Sequence, residues 1–241
     1  MTAPINEIWV YLSASPLLGL TITLLAYQGA FWLYQRSGCN PLANPVLIAV
    51  TVLVVFLTLT TTSYETYFAG AQFVHFLLGP ATVALAIPLY TQFHRVRAMW
   101  LPVVVGLLAG SLTATISAVL VGRLFGASLS TQLSLAPKSV TTPIAMGIAE
   151  RIGGIPSLTA VLVIITGILG AVGARYVFDA MKLRDPAIRG FAIGVASHGI
   201  GTARAFQVNE QSGAFAALAM GLNGALTAIL VPLIAGWLTG T

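Results

Sequence analysis

Long apolar runs, separated by short polar stretches, fill almost the whole chain. They lie at about residues 8–34, 45–61, 64–90, 98–124, 129–150, 158–181, 185–206 and 213–238. About 20 apolar residues are enough for a helix to cross the hydrocarbon core of a bilayer. The pattern therefore predicts an all-α, polytopic membrane protein with about seven or eight membrane segments, forming a single membrane domain over residues 1–241.

Three of these runs are interrupted by residues that break helices. Leu78-Gly79-Pro80 interrupts the third run, Pro137 the fifth, and the stretch 197–201 the seventh. Non-helical backbone is tolerated at membrane depth only where it is buried in protein or lines a cavity. Interrupted helices in corresponding places of two halves point to the binding site of a secondary transporter. We therefore expect interrupted or re-entrant helices and a transporter-like architecture.

The order "broken segment, then long helix" occurs twice. A shift of 57 residues aligns Leu78-Gly-Pro80 with Leu135-Ala-Pro137, which gives repeat units of about 45–125 and 128–241. Internal repeats of inverted topology are common in secondary transporters. The alignment therefore predicts an inverted repeat.

Basic residues cluster in two loops, at 95–97 and 182–189. If 129–151 is a re-entrant hairpin, both loops fall on one face, which the positive-inside rule assigns to the cytoplasm. The helices after Pro102 and after Ser157 are then antiparallel, as an inverted repeat requires. The charge distribution therefore favours the re-entrant arrangement over three full crossings.

The composition excludes several other classes of protein. Hydrophobic residues make up 57% of the chain and charged residues 7%, against about 25% charged residues in a soluble domain. The net charge of +5 is explained by cytoplasmic loops, so we expect no nucleic-acid partner. A single cysteine, Cys39, excludes an intrachain disulfide and a cysteine metal cluster. No P-loop, dinucleotide fingerprint, zinc motif or nucleophile–base–acid set is present, so we expect no enzyme.

Lys138 is the most informative candidate residue. It follows Pro137 at the expected start of a half-helix, where unpaired N–H groups and the helix dipole attract an anion. An ammonium at that place makes a carboxylate or phosphate site, and Ser139, Thr141 and Thr142 would add hydrogen bonds. The alternative is that Lys138 extends to the membrane interface.

Two further stretches carry candidate residues. Pro80, with Ala81 and Thr82, occupies the equivalent place in the first half, and two half-helix N-termini facing one cavity would attract an anion; the alternative is a simple proline kink. In the third broken run, His198 can relay a proton, and unwound carbonyls can bind a cation. The alternative there is a structural hydrogen bond. The candidates in this run are His198, Gly199, Thr202 and Arg204. Asn223 is expected to hydrogen-bond across a helix interface.

Three motifs together resemble the LrgB/CidB family: LLGPATVALAIPLY at 77–90, APKSVTTPIA at 136–145 and SHGIGTARAF at 197–206. The resemblance implies two functions. Bacterial members are described as holin/antiholin-like regulators of murein hydrolase export and cell lysis, acting with a small LrgA/CidA-type membrane protein. A related plastid protein is a glycolate/glycerate translocator, and some bacterial pairs are linked to pyruvate uptake. The family supplies no catalytic residues.

The sequence favours a secondary transporter of small monocarboxylates such as pyruvate, glycolate or glycerate, with the anion bound at half-helix N-termini near the midplane. The alternative is a holin/antiholin-like regulator of murein hydrolase export. We expect no cofactor beyond a coupling proton or sodium ion. The expected partners are a small carboxylate, the lipid bilayer, an LrgA/CidA-type protein and a second copy in a homodimer, in the bacterial cytoplasmic (inner) membrane.

Overall fold

The computed structural model describes residues 16–84 and 86–239, apart from the side chains of residues 16, 75, 78, 79, 82, 89 and 237–239. The beginning of the first apolar run therefore lies outside the described residues. The described residues form α-helices and one short 3-10 turn, with no β-strand. The all-α prediction is confirmed. The helices are α1 Pro16–Arg36, α2 Pro45–Leu59, α3 Tyr64–Phe76, α4 Leu78–Ala84, α5 Ala86–Thr91, α6 Phe93–Ala98, α7 Trp100–Leu124, α8 Leu129–Leu135, α9 Thr142–Ile152, α10 Pro156–Ala180, α11 Pro186–Val208 and α12 Glu210–Thr239.

Four helices in the described part of the chain are long and apolar enough to cross a membrane. They are Leu17–Arg36, Trp100–Leu124, Pro156–Ala180 and Glu210–Gly236. The other apolar runs form shorter or broken helices: α2 has only 15 residues, and the remaining runs contain prolines or glycines near their breaks. The expected count of seven or eight segments is therefore reached only if these shorter pieces also enter the membrane.

The chain divides into two compact units, Met1–Ala84 and Leu85–Thr241. In the first unit, α1 packs closely against α3: a Cβ added at Gly19 would lie 2.5 Å from the Tyr67 carbonyl oxygen. The Thr23 hydroxyl also lies 2.7 Å from the Tyr67 hydroxyl. The predicted interruption of the third run is present, since α3 ends at Phe76 and α4 begins at Leu78.

In the second unit, α7 and α10 are long helices that run in opposite directions. The first half of α11 lies parallel to α7, because Gly106 faces Phe191 and Gly110 faces Val195 one turn later. The same half lies antiparallel to α10: Gly170 contacts Ser197, and Asp179 pairs with Arg189. We call the end where α7 begins and α10 ends the basic end, and the other the far end.

Helix α11 reverses direction in its middle and forms a re-entrant hairpin. Ser197 and His198 have non-helical dihedral angles, with φ of −132° and 40°. A Cβ at Gly201 would lie 2.9 Å from the Ile193 carbonyl oxygen, a distance that only a folded-back chain allows. Ser212, at the start of α12, donates to the Pro186 carbonyl at 2.9 Å. The first arm of α11, 186–196, therefore starts at the basic end, and the second arm, 199–208, returns to it.

The segment formed by α8 and α9 enters from the far end. A Cβ at Gly122, near the end of α7, would lie 2.9 Å from Leu135, and the Ser134 hydroxyl accepts from the Ile155 N–H at 2.7 Å. After a non-helical stretch at 136–141, α9 starts beside the middle of α12, where Ile144 packs on Gly224. It then runs back toward the start of α10.

The Arg95–Asp185 ion pair, at 2.7 Å, joins the two basic loops. The prediction that these loops share one end is confirmed, and α7 and α10 are antiparallel as expected. The second unit therefore contains two re-entrant segments that enter from opposite ends, alongside the long helix α12.

Candidate functional site

One amide connects the two broken segments. Asn223, in the middle of α12, donates from Nδ2 to the Ser139 carbonyl at 3.3 Å and to the Val195 carbonyl at 3.1 Å. In a continuous helix the Val195 carbonyl would accept from the N–H four residues later, but the reversal at 197–198 removes that donor. We call the region formed by 136–141, 195–199 and Asn223 the tip junction.

Two hydroxyl groups hold the Asn223 amide in place. The Thr227 hydroxyl donates to Asn223 Oδ1 at 3.4 Å, and Ser111 Oγ lies 3.3 Å from Thr227 Oγ1. All three residues are buried. Since an amide oxygen only accepts and its nitrogen only donates, the two carbonyls and the hydroxyl determine which way the amide faces. The expected interhelical hydrogen bond of Asn223 is confirmed, and it belongs to a buried chain of polar groups.

Lys138 lies at the tip junction on the α9 side. It is half-buried, and its Nζ donates to Ser139 Oγ at 3.5 Å. An ammonium has three donors, so this bond uses one of them. Thr141 precedes α9 as its N-cap but makes no capping bond with its side chain, and Thr142 is the first helical residue. The Lys138 charge therefore lies in the stretch that leads directly into the positive end of the α9 dipole.

His198 lies at the tip junction on the α11 side and is 4% exposed. Its Nε2 lies 3.0 Å from the Val163 carbonyl oxygen. Because a carbonyl only accepts, Nε2 carries the hydrogen of this bond. Gly167 leaves the space for the ring, since a Cβ there would lie 2.7 Å from His198 Cε1. Lys138 interacts electrostatically with the imidazole.

The backbone after His198 starts the second arm of α11. Thr202 donates from its hydroxyl to the His198 carbonyl at 2.8 Å, and Gly199 lies beside Met220. Ser197 Oγ is buried and has no hydrogen-bond partner among the described residues. The second arm of α11 therefore has its N-terminus at the tip junction, which Asn223 links to the stretch 136–141 before α9.

The other predicted residues belong to other elements of the chain. Pro80 and Ala81 are exposed residues of α4 in the first unit, and the Thr82 side chain lies outside the described residues. Arg204 is six residues beyond His198, about 9 Å along a helix, and lines a separate cavity. The structure thus places Lys138, Ser139, Thr141, Thr142, His198, Gly199 and Thr202 at or beside the tip junction.

The sequence interpretation did not include Asn223, Thr227 or Ser111 in the site. The available signal was one amide side chain inside the last apolar run, which is expensive to bury in a membrane unless it is paired. Among the described residues, no group of three or more His, Cys, Asp or Glu side chains is arranged to hold a metal. The tip junction instead offers donors, a cation and two helix N-termini, a set that suits a small anion.

Comparisons with known proteins give a consistent result. The model of the LrgB-like family matches residues 23–237. The chain is 36% identical to the uncharacterized proteins YwbG and YxaC of Bacillus subtilis (strain 168), over 90% and 91% of this chain and 96% and 94% of theirs. It is 31% identical to the antiholin-like protein LrgB of Bacillus cereus (strain B4264), over 91% of this chain and 95% of that protein. No solved structure matches it.

Proposed function

This chain belongs to the LrgB-like family, and from that premise we propose that it is a secondary carrier of small monocarboxylates such as pyruvate, glycolate or glycerate. One observation carries the proposal. Two re-entrant segments enter the second unit from opposite ends, and Asn223 joins their breaks at the middle of α12. Broken helices that meet in the middle of a membrane domain are the usual solute sites of secondary transporters.

In the proposed complex, the carboxylate of the solute lies at the α9 N-terminus. Lys138 supplies the opposite charge, and the hydroxyls of Ser139, Thr141 and Thr142 supply donors. The His198 ring already donates from Nε2 to the Val163 carbonyl, so it acts by position or through its second nitrogen. Charge-assisted hydrogen bonds are about twice as strong as neutral ones, which makes Lys138 the residue on which affinity depends most. Pro80, Ala81 and Thr82 stay predictions from the sequence alone.

The same geometry supports an inverted repeat in smaller units than the sequence alignment suggests. Helices α7 and α10 each have 25 residues, run in opposite directions, and are each followed by a re-entrant segment. We therefore take 100–152 and 156–208 as the repeat units. Movement of one repeat, 100–152, against the other, 156–208, would expose the tip junction to each side of the membrane in turn, which is alternating access.

The orientation follows from the basic end. Arg95 and Arg97 lie in the short helix α6, and Lys182 and Arg184 lie in the loop between α10 and α11. The positive-inside rule therefore places that end in the cytoplasm of a bacterial inner membrane. The coupling ion is a proton or sodium. His198 suits a proton, whereas the buried Ser197 hydroxyl, together with carbonyls of the reversal, suits a sodium ion.

The relatives favour a second candidate function. The Bacillus cereus relative is named antiholin-like, which suits a regulator of murein hydrolase export and lysis acting with an LrgA/CidA-type small membrane protein. A homodimer fits either function. The two candidates differ in what they require of Lys138. A carrier needs its charge at a saturable site, whereas a regulator that acts by assembly tolerates its loss.

The test is uptake of radiolabelled pyruvate and glycolate into proteoliposomes, with and without a pH gradient. We expect saturable uptake by the wild type and a loss of about tenfold or more in Lys138→Ala, because a hydrogen bond to a charged group contributes about 1.5–3 kcal/mol. Lys138→Arg keeps the charge and should retain part of the activity. Arg151→Ala, an exposed cation near the end of α9, is the matched control. Unsaturable leakage, or equal uptake by Lys138→Ala and the wild type, would reject the carrier in favour of the regulator.

A further inference from the structure

An apolar groove lies between α7 and the first arm of α11. Its volume is about 520 Å³, and every described residue that lines it has an apolar side chain or is a glycine. The α7 wall runs from Met99 to Ala114, and the α11 wall runs from Ala187 to Ala196. Phe215 of α12, which is buried, forms the third wall. We call this space the α7–α11 groove.

The groove begins at the basic end and reaches the tip junction. Met99 directly precedes Trp100, an exposed residue of the type that marks the membrane interface. At the other end the groove is lined by Val195, whose carbonyl accepts from Asn223. From Met99 to Ala114 a helix advances about 22 Å, and one leaflet of the hydrocarbon core is about 15 Å thick. The groove is therefore long enough to follow one leaflet from its surface to the bilayer centre.

The width of the groove distinguishes between possible occupants. Over about 22 Å of helix, a volume of about 520 Å³ corresponds to a mean width of about 5–6 Å. A helix with its side chains is about 10–12 Å wide, so a membrane helix of a second copy or of a partner protein is too thick. A single hydrocarbon chain is thin enough, because it is a file of methylene groups without side chains.

The apolar walls disfavour polar occupants. A carboxylate in the groove would lose its hydration without a hydrogen bond to replace it, which is costly. A buried water needs about two to four polar partners, and the side chains of the groove supply none among the described residues. A hydrocarbon chain needs no polar partner and gains dispersion contacts with the walls. The groove is therefore unsuited to the proposed solute and suited to an alkyl chain.

The mouth of the groove suits the polar end of a phospholipid. Ile188, in the wall near the basic end, is exposed, so the groove is accessible there. Arg97 lies two residues before Met99, Arg184 lies three residues before Ala187, and both arginines are exposed. Basic residues at this depth attract the phosphate of a lipid headgroup. One lipid can therefore place its chain in the groove and its phosphate near these arginines.

We propose that the α7–α11 groove binds one acyl chain of a phospholipid from the leaflet at the basic end, with the phosphate near Arg97 and Arg184. This site differs from the proposed solute site, because its walls are apolar whereas the tip junction offers Lys138 and several hydroxyl groups. The proposal does not depend on which solute, if any, the tip junction carries.

The test is photolabelling of the full-length protein in nanodiscs that contain phosphatidylglycerol with a diazirine in one acyl chain. A diazirine near the glycerol should label 99–103 and 187–188, and one near the chain end should label 110–114 and 195–196, as read by peptide mass spectrometry. Val195 is buried, so lipid outside the groove does not reach it. Excess unlabelled phosphatidylglycerol should reduce the labelling, because a single site saturates.

Variants that fill the groove give the matched comparison. In Gly106→Leu the new Cβ meets only the Phe191 ring, at 3.4 Å, so the protein should fold, which size-exclusion chromatography checks. Labelling at the inner end should fall by about tenfold, because the added side chain overpacks the groove. Ala114→Leu fills only the inner end and should spare the labels near the basic end. Gly147→Leu, where a Cβ meets nothing within 4 Å, is the control and should be labelled as the wild type is.

Four results would overturn the proposal. One is labelling that does not change with the depth of the diazirine, and another is unchanged labelling in both Gly106→Leu and Ala114→Leu. The third is competition by a free fatty acid but not by phosphatidylglycerol, which would assign the groove to a different ligand. The fourth is cross-linking between two copies of the chain through groove residues in place of lipid labels.

Discussion

The two re-entrant segments of the second unit differ in how the chain is broken between their two arms. The α8–α9 segment is broken over six residues, 136–141, and leaves a half-buried lysine at its break. The α11 hairpin reverses within two residues, at Ser197 and His198, and buries both. One segment is therefore open enough to offer a cation, whereas the other is closed by packing.

Glycine contacts show the same difference. A Cβ at Gly194 or at Gly190 in α11 would overlap the backbone of α12, at Ala216 and Ser212 respectively. A Cβ at Gly147 in α9 would meet nothing within 4 Å. The α11 hairpin thus depends on close approach of two backbones, and α9 does not. Because small-residue contacts are a main source of cohesion between membrane helices, we infer that α11 is the more rigid partner at the tip junction.

The helix starts differ as well. Asp185 caps α11, since its Oδ1 accepts from the N–H groups of Ala187 at 2.8 Å and Ile188 at 3.4 Å. Thr141, at the start of α9, makes no such bond with its side chain. A capped helix start has less need of an external acceptor. In the proposed carrier, the start of α9, which lacks a side-chain cap, is the helix start that would receive the solute.

The largest expected effect on stability comes from comparing a glycine-to-alanine substitution in each of the two segments. Gly194→Ala should destabilise the protein by about 1–3 kcal/mol, because the neighbouring atoms are backbone atoms that cannot rotate away. Gly147→Ala should leave stability unchanged or raise it by up to about 1 kcal/mol, since alanine favours the helix. Thermal unfolding in detergent, followed by size-exclusion chromatography, compares the two. Equal destabilisation would contradict the difference in packing.

An effect of similar size is expected at the amide that joins the segments. Asn223→Ala leaves the buried carbonyls of Ser139 and Val195 without their donor, and this should destabilise the protein by about 1–3 kcal/mol. Asn223→Asp should be no better, because a carboxylate cannot donate. Thr227→Val removes the 3.4 Å bond to the amide oxygen and the 3.3 Å contact with Ser111 Oγ, but no bond to either carbonyl, and serves as the control. If Thr227→Val is as destabilising as Asn223→Ala in the same unfolding assay, Asn223 does not join the segments.

The smallest expected effects concern the helix starts. Asp185→Ala should lower the free energy of unfolding by about 1 kcal/mol through the lost helix cap. The same substitution also removes the ion pair with Arg95. Arg95→Gln removes that ion pair alone, which should contribute about 0–1 kcal/mol for an exposed pair. Thr141→Val should change stability by less than about 0.5 kcal/mol and yet reduce carboxylate uptake. If Thr141→Val lowers the unfolding temperature as much as Asp185→Ala does, the start of α9 is capped like that of α11, and the two helix starts do not differ.

Much of the fold was predictable because it depends on local chemistry. Proline and glycine weaken helices locally, so the interruptions near Pro80, near Pro137 and at 197–201 could be predicted from residue type, although Pro232 lies inside the continuous helix α12. The run 64–90 is more fragmented than expected: α4, Leu78–Ala84, and α5, Ala86–Thr91, are only seven and six residues long. Charge placement also predicted correctly that the loops at 95–97 and 182–189 share one end.

The site was less predictable because its contacts join distant parts of the chain. Asn223 lies 84 residues from Ser139 and 28 from Val195, and no local pattern shows which carbonyls a buried amide meets. Likewise, the pattern at 197–201 predicts a break but not the direction in which the chain continues. The fold-back of α11 also places Arg204 in a cavity that Arg175 and Arg189 line as well, and not beside His198.

By itself, the sequence determined that this protein is helical, lies in a membrane, and is broken at defined residues, since hydrophobicity, charge and backbone restriction act over a few neighbouring positions. The tertiary structure decided which breaks meet, which helix starts remain uncapped and which cations share a cavity. Those outcomes depend on how the helices of the second unit pack, and close packing is a property of the assembled surfaces that no single segment contains.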